Sequence, residues 1–367
     1  MHFESELKPM SHKKITRFDV LHKLIPILVF AIVVSFLAGC GALTEKKPEI
    51  RALIIPKFEI DEITGDSLGE AQLFYENYCK GCKEIEIPHL PKSSHFYFND
   101  DNGVGILVTD VGKTVSSLSF SALLSSDMYE FSNTYIVSVG CCGGSVGETI
   151  FGDVVLVTAA CDGDLGFYAD SSDKEAGDPI SWYPDTSLEI CTHEFLNPEL
   201  CENVYQMVKD RPLRTTEKSE KILVESFGKE NLVHEKPMVL KGTSVTSDRY
   251  WKGYAGHATA DYIAKYYNCP DPYMSTEMEE IAILSAADSF GMLDRVISLR
   301  VVVNMDKFLY FQTPENLWGR HGGFTDNLDE DSTETLDIFE PAMQNLYDVA
   351  SIVIDDILDG AEQIKAQ

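Results

Sequence analysis

The sequence is poor in cations. Lys and Arg together number 30 against 59 Asp and Glu, so the formal net charge is −29. A surface this acidic repels nucleic acid and anionic lipid headgroups, which argues against a phosphate-rich polymer as a partner. A solvated acidic face that keeps the protein soluble explains the excess sufficiently. No Arg lies between Arg51 and Arg211, so the first half of the chain has few cations that could converge on a phosphate.

Long apolar runs are also scarce. The most apolar stretch, Leu24 to Ala38, has 15 residues and contains a proline, whereas a helix needs roughly 20 residues to cross a bilayer. Lys13, Lys14, Arg17 and Lys23 precede it, and Leu37-Ala38-Gly39-Cys40 ends it. This order is typical of a bacterial lipoprotein signal peptide, which is cut before a cysteine that then carries lipid.

The signal-like segment predicts where the folded domain begins. We expect residues 1–39 to be removed and Cys40 to be lipidated, so that the protein is an extracytoplasmic, membrane-anchored lipoprotein. Residues 40–49 would then form a short tether, and residues 50–367 the domain. The alternative is that the apolar run remains as a short uncleaved anchor.

Paired metal-ligand motifs are missing. One CxxC, Cys79 to Cys82, is followed by His89 and His95, but there is no second CxxC to complete a structural zinc site. A local disulfide or free thiols are the alternatives for these cysteines. We expect neither a metal nor a cofactor.

Strand patterns alternate with helix patterns along residues 50–367. Apolar runs rich in β-branched residues predict buried strands, and amphipathic stretches predict helices. The strand candidates are 50–58, 95–100, 103–112, 133–142, 153–162, 238–247 and 296–305. The helix candidates are 64–78, 113–126, 198–209, 216–228, 253–266, 277–291 and a last helix that begins at Pro341. This alternation predicts a single α/β domain with a mixed, mostly parallel sheet and helices on both faces.

Three segments at or near predicted strand ends are candidates for a site, because ligands of open α/β sheets bind there. VGCCGG at 139–144 would let a ligand approach the backbone closely, although glycines also form ordinary turns. VTDVGKT at 108–114 opens a helix whose free N–H groups suit an anion or a hydroxyl, but it is not a complete P-loop. TEMEE at 276–280 places carboxylates at a helix start, which a capping box alone would explain.

Taken in order, these segments resemble the type I nucleoside phosphorylase and nucleosidase superfamily, and methylthioadenosine nucleosidases in particular. The resemblance rests on IIPKFEIDE, VTDVGKT, SVGCCGGSVGETIFGDVVLV, SVTSDRYWKG, TEMEEIAI and RVVVNMD. Within the superfamily the chain is most similar to the purine nucleoside permease family, through DRYWKG, MLDRVISLR, GGFTDNL and EPAMQNLYDVASIVIDDI. The resemblance implies a three-layer nucleoside phosphorylase-like fold over residues 50–367 and purine nucleosides as ligands.

The resemblance also implies roles by position. Glu59 matches the acid that activates the attacking water, although a surface carboxylate after a strand is an alternative. Met278 and Glu279 match the ribose-binding pair, whose carboxylate accepts hydrogen bonds from the 2′- and 3′-hydroxyls. Tyr250 and Trp251 match the pair beside the base, although aromatic residues here would also suit a core. The loops expected to line the pocket contain Gly112, Lys113, Gly140, Cys141 and Gly143.

The sequence departs from the nucleosidase pattern at the leaving group. Val303-Asn304 stands where nucleosidases have Ser-Asp, and an amide can hydrogen-bond to purine N7 but cannot protonate it. Some purine nucleoside phosphorylases act with an Asn, and Asp306 could supply an acid nearby. Cys141 and Cys142 replace small polar residues or alanine, which changes the surroundings of the nucleophile.

These expectations combine into one predicted function. The protein is expected to hydrolyse the N-glycosidic bond of purine nucleosides, in support of nucleoside uptake or salvage. Glu59, the acidic charge and the scarcity of Arg favour water over phosphate as the nucleophile. Phosphorolysis, nucleoside binding without catalysis, and an interaction module on a retired enzyme fold stay open as alternatives.

Uptake would need a further protein. A carrier needs membrane-spanning helices, and the sequence offers no candidate after Cys40. The expected partners are therefore purine nucleosides and the membrane, contacted through the lipid on Cys40. A separate nucleoside transporter and a homo-oligomer are options that the sequence leaves open.

Overall fold

The computed structural model describes residues 46–168, 182–184, 192–250, 253–306 and 335–365, and the structural statements below concern these residues. The strands are β1 (Ala52–Ile55), β2 (His95–Asn99), β3 (Val104–Val108), β4 (Tyr135–Gly144), β5 (Val154–Asp162), β6 (Gly166–Tyr168), β7 (Trp182–Pro184), β8 (His193–Phe195), β9 (Val239–Thr246), β10 (Tyr273–Glu277) and β11 (Val296–Met305). The helices are α1 (Gln72–Tyr78), α2 (Lys113–Ser125), α3 (Pro198–Val208), α4 (Glu217–Phe227), α5 (Tyr254–Tyr266), α6 (Glu280–Ser289) and α7 (Glu340–Leu358).

One central sheet organises the described residues. Its order is β10-β9-β5-β11-β4-β1-β3-β2, and β8 pairs with the C-terminal half of β5. Five of its nine pairings are parallel and four are antiparallel. The sequence-based expectation of a mixed, mostly parallel sheet in an α/β fold is therefore confirmed.

Five of these strands close into a ring. β10 pairs in parallel with β9 and in antiparallel fashion with β4, which links the two ends of the series β4-β11-β5-β9-β10. The closing contact places Thr276 opposite Gly143 and Ser275 opposite Gly144. The ring therefore brings the ends of β4, β10 and β11 together, although they are far apart in sequence.

Helix α7 covers the sheet with the apolar side that its sequence pattern predicts. Met343, Leu346, Val349, Val353 and Ile357 are all buried, and the helix packs on β4 and β11. Burying one such side chain contributes about 1.5–3 kcal/mol. A proline occupies the first turn of α7, where its missing N–H costs no hydrogen bond. No helix in the described part of the chain has the length and apolar character needed to cross a membrane.

Two predicted helices are shorter than expected. The helix predicted over 64–78 begins only at Gln72, because Gly65 has a positive φ and the carboxylate of Glu59 holds the N–H groups at the start of α1. The helix predicted over 277–291 begins at Glu280. The residues before it, Tyr273–Glu277, form strand β10, which the sequence pattern did not indicate.

Candidate active site

A pocket of about 650 Å³ opens at the ends of β4, β10 and β11. This volume includes the open solvent at the mouth of the pocket. Its walls come from those strand ends and from the segments after β1, β3 and β9. The lining residues are Lys57, Phe58, Glu70, Val111, Cys141, Cys142, Gly143, Arg249, Tyr250, Thr276, Glu277, Met278, Glu279, Val303 and Asn304.

A buried arginine lies beneath this pocket. Arg300 is fully buried in the middle of β11, and its Nη2 lies 2.8 Å from Glu280 Oε2 and 3.2 Å from Glu277 Oε2. Its Nη1 lies 3.4 Å from Glu279 Oε2. Burial lowers the pKa of Arg300, but the carboxylates of Glu277 and Glu280 outweigh it and raise that pKa well above its ordinary value. The guanidinium therefore stays charged and holds three carboxylates in place.

The close approach of Arg300 explains one glycine of the VGCCGG segment. A Cβ atom at Gly140 would lie 2.6 Å from Arg300 Nη1 and 3.1 Å from Glu70 Oε1. Real Cβ atoms are not found so near a neighbouring heavy atom. Only glycine therefore leaves room for the guanidinium and the carboxylate at this point of β4.

Glu279 is presented to the pocket by the turn between β10 and α6. Its Oε1 accepts a hydrogen bond from the backbone N–H of Gly112 at 3.0 Å, and its own N–H donates to Glu277 Oε2 at 2.7 Å. Gly112 has φ +105°, a conformation that suits glycine. Burial raises the pKa of Glu279 to about 7, and Arg300 opposes this rise. Met278 lies beside Glu279 in the pocket wall.

Glu70 is the second carboxylate of the pocket, and no sequence motif indicated it. It is buried, and its Oε2 accepts the backbone N–H of Lys57 at 2.7 Å while Oε1 accepts that of Cys141 at 2.7 Å. Two backbone donors therefore fix its orientation, and each carboxylate oxygen keeps a further lone pair for a ligand.

Lys57 is buried beside Glu70. Its Nζ donates to the carbonyl oxygens of Ile55 and Val139 and to Ser138 Oγ, at 2.8, 3.0 and 2.8 Å. Burial lowers the pKa of Lys57 to about 8, with a further contribution from Arg300. All three N–H donors of the ammonium group are therefore hydrogen-bonded to protein oxygens.

Glu59, the acid that the resemblance assigns to water activation, does not line the pocket. Its Oε1 accepts the N–H groups of Ile60 and Gly69, and its Oε2 accepts those of Ala71 and Gln72. Burial raises the pKa of Glu59 to about 7, against the lowering effect of these four donors. The carboxylate therefore serves as a cap for α1 and closes the loop before it.

At the C-terminal end of β11 the structure separates the two residues proposed for the leaving group. Asn304 lines the pocket, and its Nδ2 lies 3.0 Å from the position that a Cβ on Gly143 would take. Asp306 is fully buried outside the pocket lining. Its carboxylate bonds to His257 Nδ1 at 3.0 Å and accepts the Tyr273 hydroxyl, so it is not placed to act on a ligand.

Aromatic and charged residues form the rim. Tyr250 lines the pocket and is 61% exposed, so its ring can contact a ligand. Arg249 lies beside it and pairs with Asp164 at 2.8 Å. Lys113 does not line the pocket, because its Nζ binds Asp162 and Asp164, each at 3.0 Å.

Two residues singled out in the sequence, Trp251 and Cys40, lie outside the described residues. Within the residues that are described, no group of three or more His, Cys, Asp or Glu side chains could hold a metal ion.

Comparison with known proteins identifies the family. The profile of the purine nucleoside permease family matches residues 49–366 of this chain. This chain belongs to that family. A relative from Schizosaccharomyces pombe, described as a probable purine nucleoside permease, is 25% identical over 225 residues. That match covers 55% of this chain and 64% of the relative, so this chain spans less than two thirds of the relative's length.

Solved structures that match this chain include a nucleosidase and a hydrolase. One is the 5′-methylthioadenosine/S-adenosylhomocysteine nucleosidase of Neisseria meningitidis in complex with methylthio-immucillin-A, and the other is a mutant futalosine hydrolase of Helicobacter pylori. Each is 14% identical, with a TM-score of 0.49, and each match covers 83% of this chain and 98% of the other.

Proposed function

We propose that this member of the purine nucleoside permease family hydrolyses the N-glycosidic bond of purine nucleosides. The observation that carries the proposal is the convergence of two buried carboxylates, Glu70 and Glu279, in one pocket with Arg300 beneath them. Both carboxylates have lone pairs left for a ligand, and Asn304 and Tyr250 stand on the same pocket wall or rim. In this proposal Glu279 binds the sugar, Glu70 binds the water molecule, and Asn304 binds the purine.

Glu279 is the ribose-binding group. A carboxylate accepts hydrogen bonds from two neighbouring hydroxyls, and the 2′- and 3′-hydroxyls of ribose present such a pair. The backbone N–H of Gly112 and the guanidinium of Arg300 fix its orientation before the ligand arrives. The side chain of Met278 supplies an apolar surface for the sugar ring.

Glu70 is the general base in this proposal. It takes a proton from a bound water molecule as the water oxygen forms a bond to C1′, while the bond from C1′ to the purine nitrogen breaks and its electron pair leaves with the base. The products are ribose and a purine anion, which becomes the free base when it takes up a proton from solvent, while Glu70 returns its proton to solvent. Glu70 therefore takes the role that the sequence resemblance gave to Glu59.

Asn304 stabilises the leaving purine. Its amide can donate a hydrogen bond to N7 and accept one from a neighbouring N–H, but it has no proton to give up. Asn304 therefore suits a 6-oxopurine, which can leave with negative charge on its 6-oxo oxygen, better than it suits adenine, which lacks that oxygen. Inosine and guanosine are the expected substrates.

The cations of the site favour water over phosphate. Lys57 donates to three protein oxygens, Arg300 pairs with three carboxylates, and Arg249 pairs with Asp164. A phosphate would have to displace a protein oxygen from one of these cations, and the surrounding carboxylates would repel it. Hydrolysis needs no such displacement.

A cellular setting follows from the sequence. We propose that lipid on Cys40 anchors the protein outside the cytoplasm, and that the free purine or the nucleoside then passes to a separate transporter. Labelling with a lipid precursor and a Cys40→Ser variant test the anchor: the label should be absent from the variant. Label in the variant, or none in the wild type, would contradict the anchor.

The test of catalysis is release of free base. The full chain is incubated with inosine, guanosine and adenosine, with and without phosphate, and the products are separated by chromatography. We expect base and ribose without added phosphate, and loss of both with Glu279→Ala. The matched control is Glu62→Gln, which changes an exposed glutamate and should keep the activity. No base from any nucleoside, or base only with phosphate, would contradict hydrolysis.

Binding without turnover is a second candidate, favoured by Asn304, which cannot protonate the leaving base. Calorimetry separates the two functions. Nucleoside binding that Glu279→Ala weakens, with no base released over hours, would identify a binding protein. If no nucleoside binds, both candidates fail.

A further inference from the structure

Two cysteines outside the pocket lie close together. Cys161 is fully buried near the end of β5, and Cys269 is half-buried in the turn after α5. Their Sγ atoms are 3.4 Å apart, although the residues are 108 positions apart in the chain. A disulfide has an S–S distance of about 2.05 Å, so a shift of little more than 1 Å would join the two sulfurs.

We propose that Cys161 and Cys269 are an oxidisable pair that forms a disulfide between β5 and the turn after α5. The pair sits in a small apolar cluster with Val245, Ile263 and Tyr273. The two sulfurs are within hydrogen-bond distance of each other, and the side chain of Thr243 also hydrogen-bonds to Cys269. Cys201, by comparison, is also buried but has its Sγ 3.9 Å from the carbonyl oxygen of Val157.

The surroundings of the two cysteines indicate which sulfur reacts first. The hydrogen bond between the two sulfurs lowers the pKa of Cys269 and raises that of Cys161, and burial adds to the rise at Cys161. Cys269 is also the more exposed of the two. Because a thiolate is the attacking form, Cys269 is the first to react.

The reaction balances with a small-molecule disulfide as the oxidant. The Cys269 thiolate attacks one sulfur of that disulfide and releases the other as a thiolate, which leaves a mixed disulfide on Cys269. Cys161 then loses its proton and attacks the Cys269 sulfur, which releases the second small thiolate. Two protein thiols are oxidised, and one small disulfide is reduced to two thiols.

The bond would fix one side of the candidate active site. Cys161 directly precedes Asp162, whose carboxylate accepts the Nζ of Lys113. Cys269 precedes β10, which leads into the Met278-Glu279 turn. The disulfide also closes a long loop of the unfolded chain, and a longer loop predicts a larger gain in stability.

The test measures thiols, so its outcome does not depend on turnover. The full chain is incubated with oxidised glutathione, alkylated, digested and analysed by mass spectrometry, with a dithiothreitol-treated sample as reference. We expect a linked peptide containing Cys161 and Cys269, and a Tm about 5–10 °C higher in the oxidised sample. The single variant Cys269→Ser should lose both effects, and the control Cys201→Ser should keep them.

Several results would overturn the proposal. Alkylation of both cysteines after oxidation would show that the pair does not join, and a linked peptide from either one to a different cysteine would show another pairing. A Cys161–Cys269 peptide with an unchanged Tm would refute the stabilising effect of the bond.

Discussion

Glu59 and Glu70, which both lie in the segment after β1, should respond differently to the same Glu→Gln change. In Glu59→Gln a single amide oxygen replaces two carboxylate oxygens that together accept four backbone N–H groups. Two of these four backbone N–H groups then face the NH₂ group of the glutamine, which cannot accept a hydrogen bond. Each unsatisfied buried donor costs about 1–3 kcal/mol, and Glu59 is half-buried, so we expect unfolding to become easier by about 2–3 kcal/mol in total.

Glu70→Gln should mainly affect catalysis. The amide oxygen still accepts one of the two backbone N–H groups now held by Glu70, so the expected loss of stability is smaller, about 1–2 kcal/mol. An amide cannot take a proton from water, and removal of a general base typically lowers kcat about 10²–10⁴-fold. The same change should leave nucleoside binding detectable by calorimetry.

Urea unfolding and base release on the same preparations distinguish the two variants. We expect Glu59→Gln to shift the unfolding midpoint while kcat/KM per folded molecule stays near the wild-type value. Glu70→Gln should shift the unfolding midpoint less and lower kcat/KM per folded molecule about 10²–10⁴-fold. A folded Glu59→Gln variant that has lost turnover, beside a Glu70→Gln variant that retains it, would refute our assignment of the general base.

Three further predictions concern the pocket. First, kcat/KM for inosine should fall about tenfold per pH unit below about 7, because the pKa of Glu279 is about 7 and the protonated group loses an acceptor; a flat profile from pH 5 to 8 would contradict this. Second, Gly140→Ala should lower stability by about 1–3 kcal/mol in urea unfolding, because its Cβ would lie 2.6 Å from Arg300 Nη1. Third, Asn304→Asp should raise the rate with adenosine relative to inosine, since a carboxylic acid can protonate N7; an unchanged ratio in product chromatography would argue against contact with the base.

Much of the sheet could be predicted because the sequence of each of these buried strands itself shows that the strand is buried. The segments around β1, β3, β4, β5 and β11 are continuous apolar runs, and burial on both faces produces that pattern. β10 could not be found in this way. It contains Ser275, Thr276 and Glu277, yet it is buried along its whole length, because Ser244 and Thr246 on β9 donate to the carboxylate of Glu277. Side chains on the neighbouring strand therefore satisfy the buried carboxylate of Glu277. A pattern read within residues 273–277 does not include these partners.

The ion pairs between Arg300 and the three glutamates were not predicted from the sequence, for a related reason. Arg300 lies in a segment that correctly predicts a buried strand, but an arginine there is stable only with partners, and those partners are at Glu277, Glu279 and Glu280. The sequence did contain a signal. A charged residue in the middle of an otherwise apolar strand needs opposite charges nearby, and TEMEE is the carboxylate-rich segment that precedes this strand.

Our proposal of Glu70 in place of Glu59 as the general base rests on the path of the chain after β1. After β1 ends at Ile55, the chain runs on to Phe58 and forms a loop over residues 59–69. It then returns so that the N–H of Glu70 donates to the carbonyl oxygen of Phe58 at 3.2 Å. Glu70 therefore reaches the place that the next residue after Phe58 would occupy without the excursion. Glu59 lies at the start of the loop and binds Gly69 and the first residues of α1 at its end. Glu59, which the sequence resemblance assigns to catalysis, therefore closes the loop, and the end of that loop places Glu70 in the pocket wall.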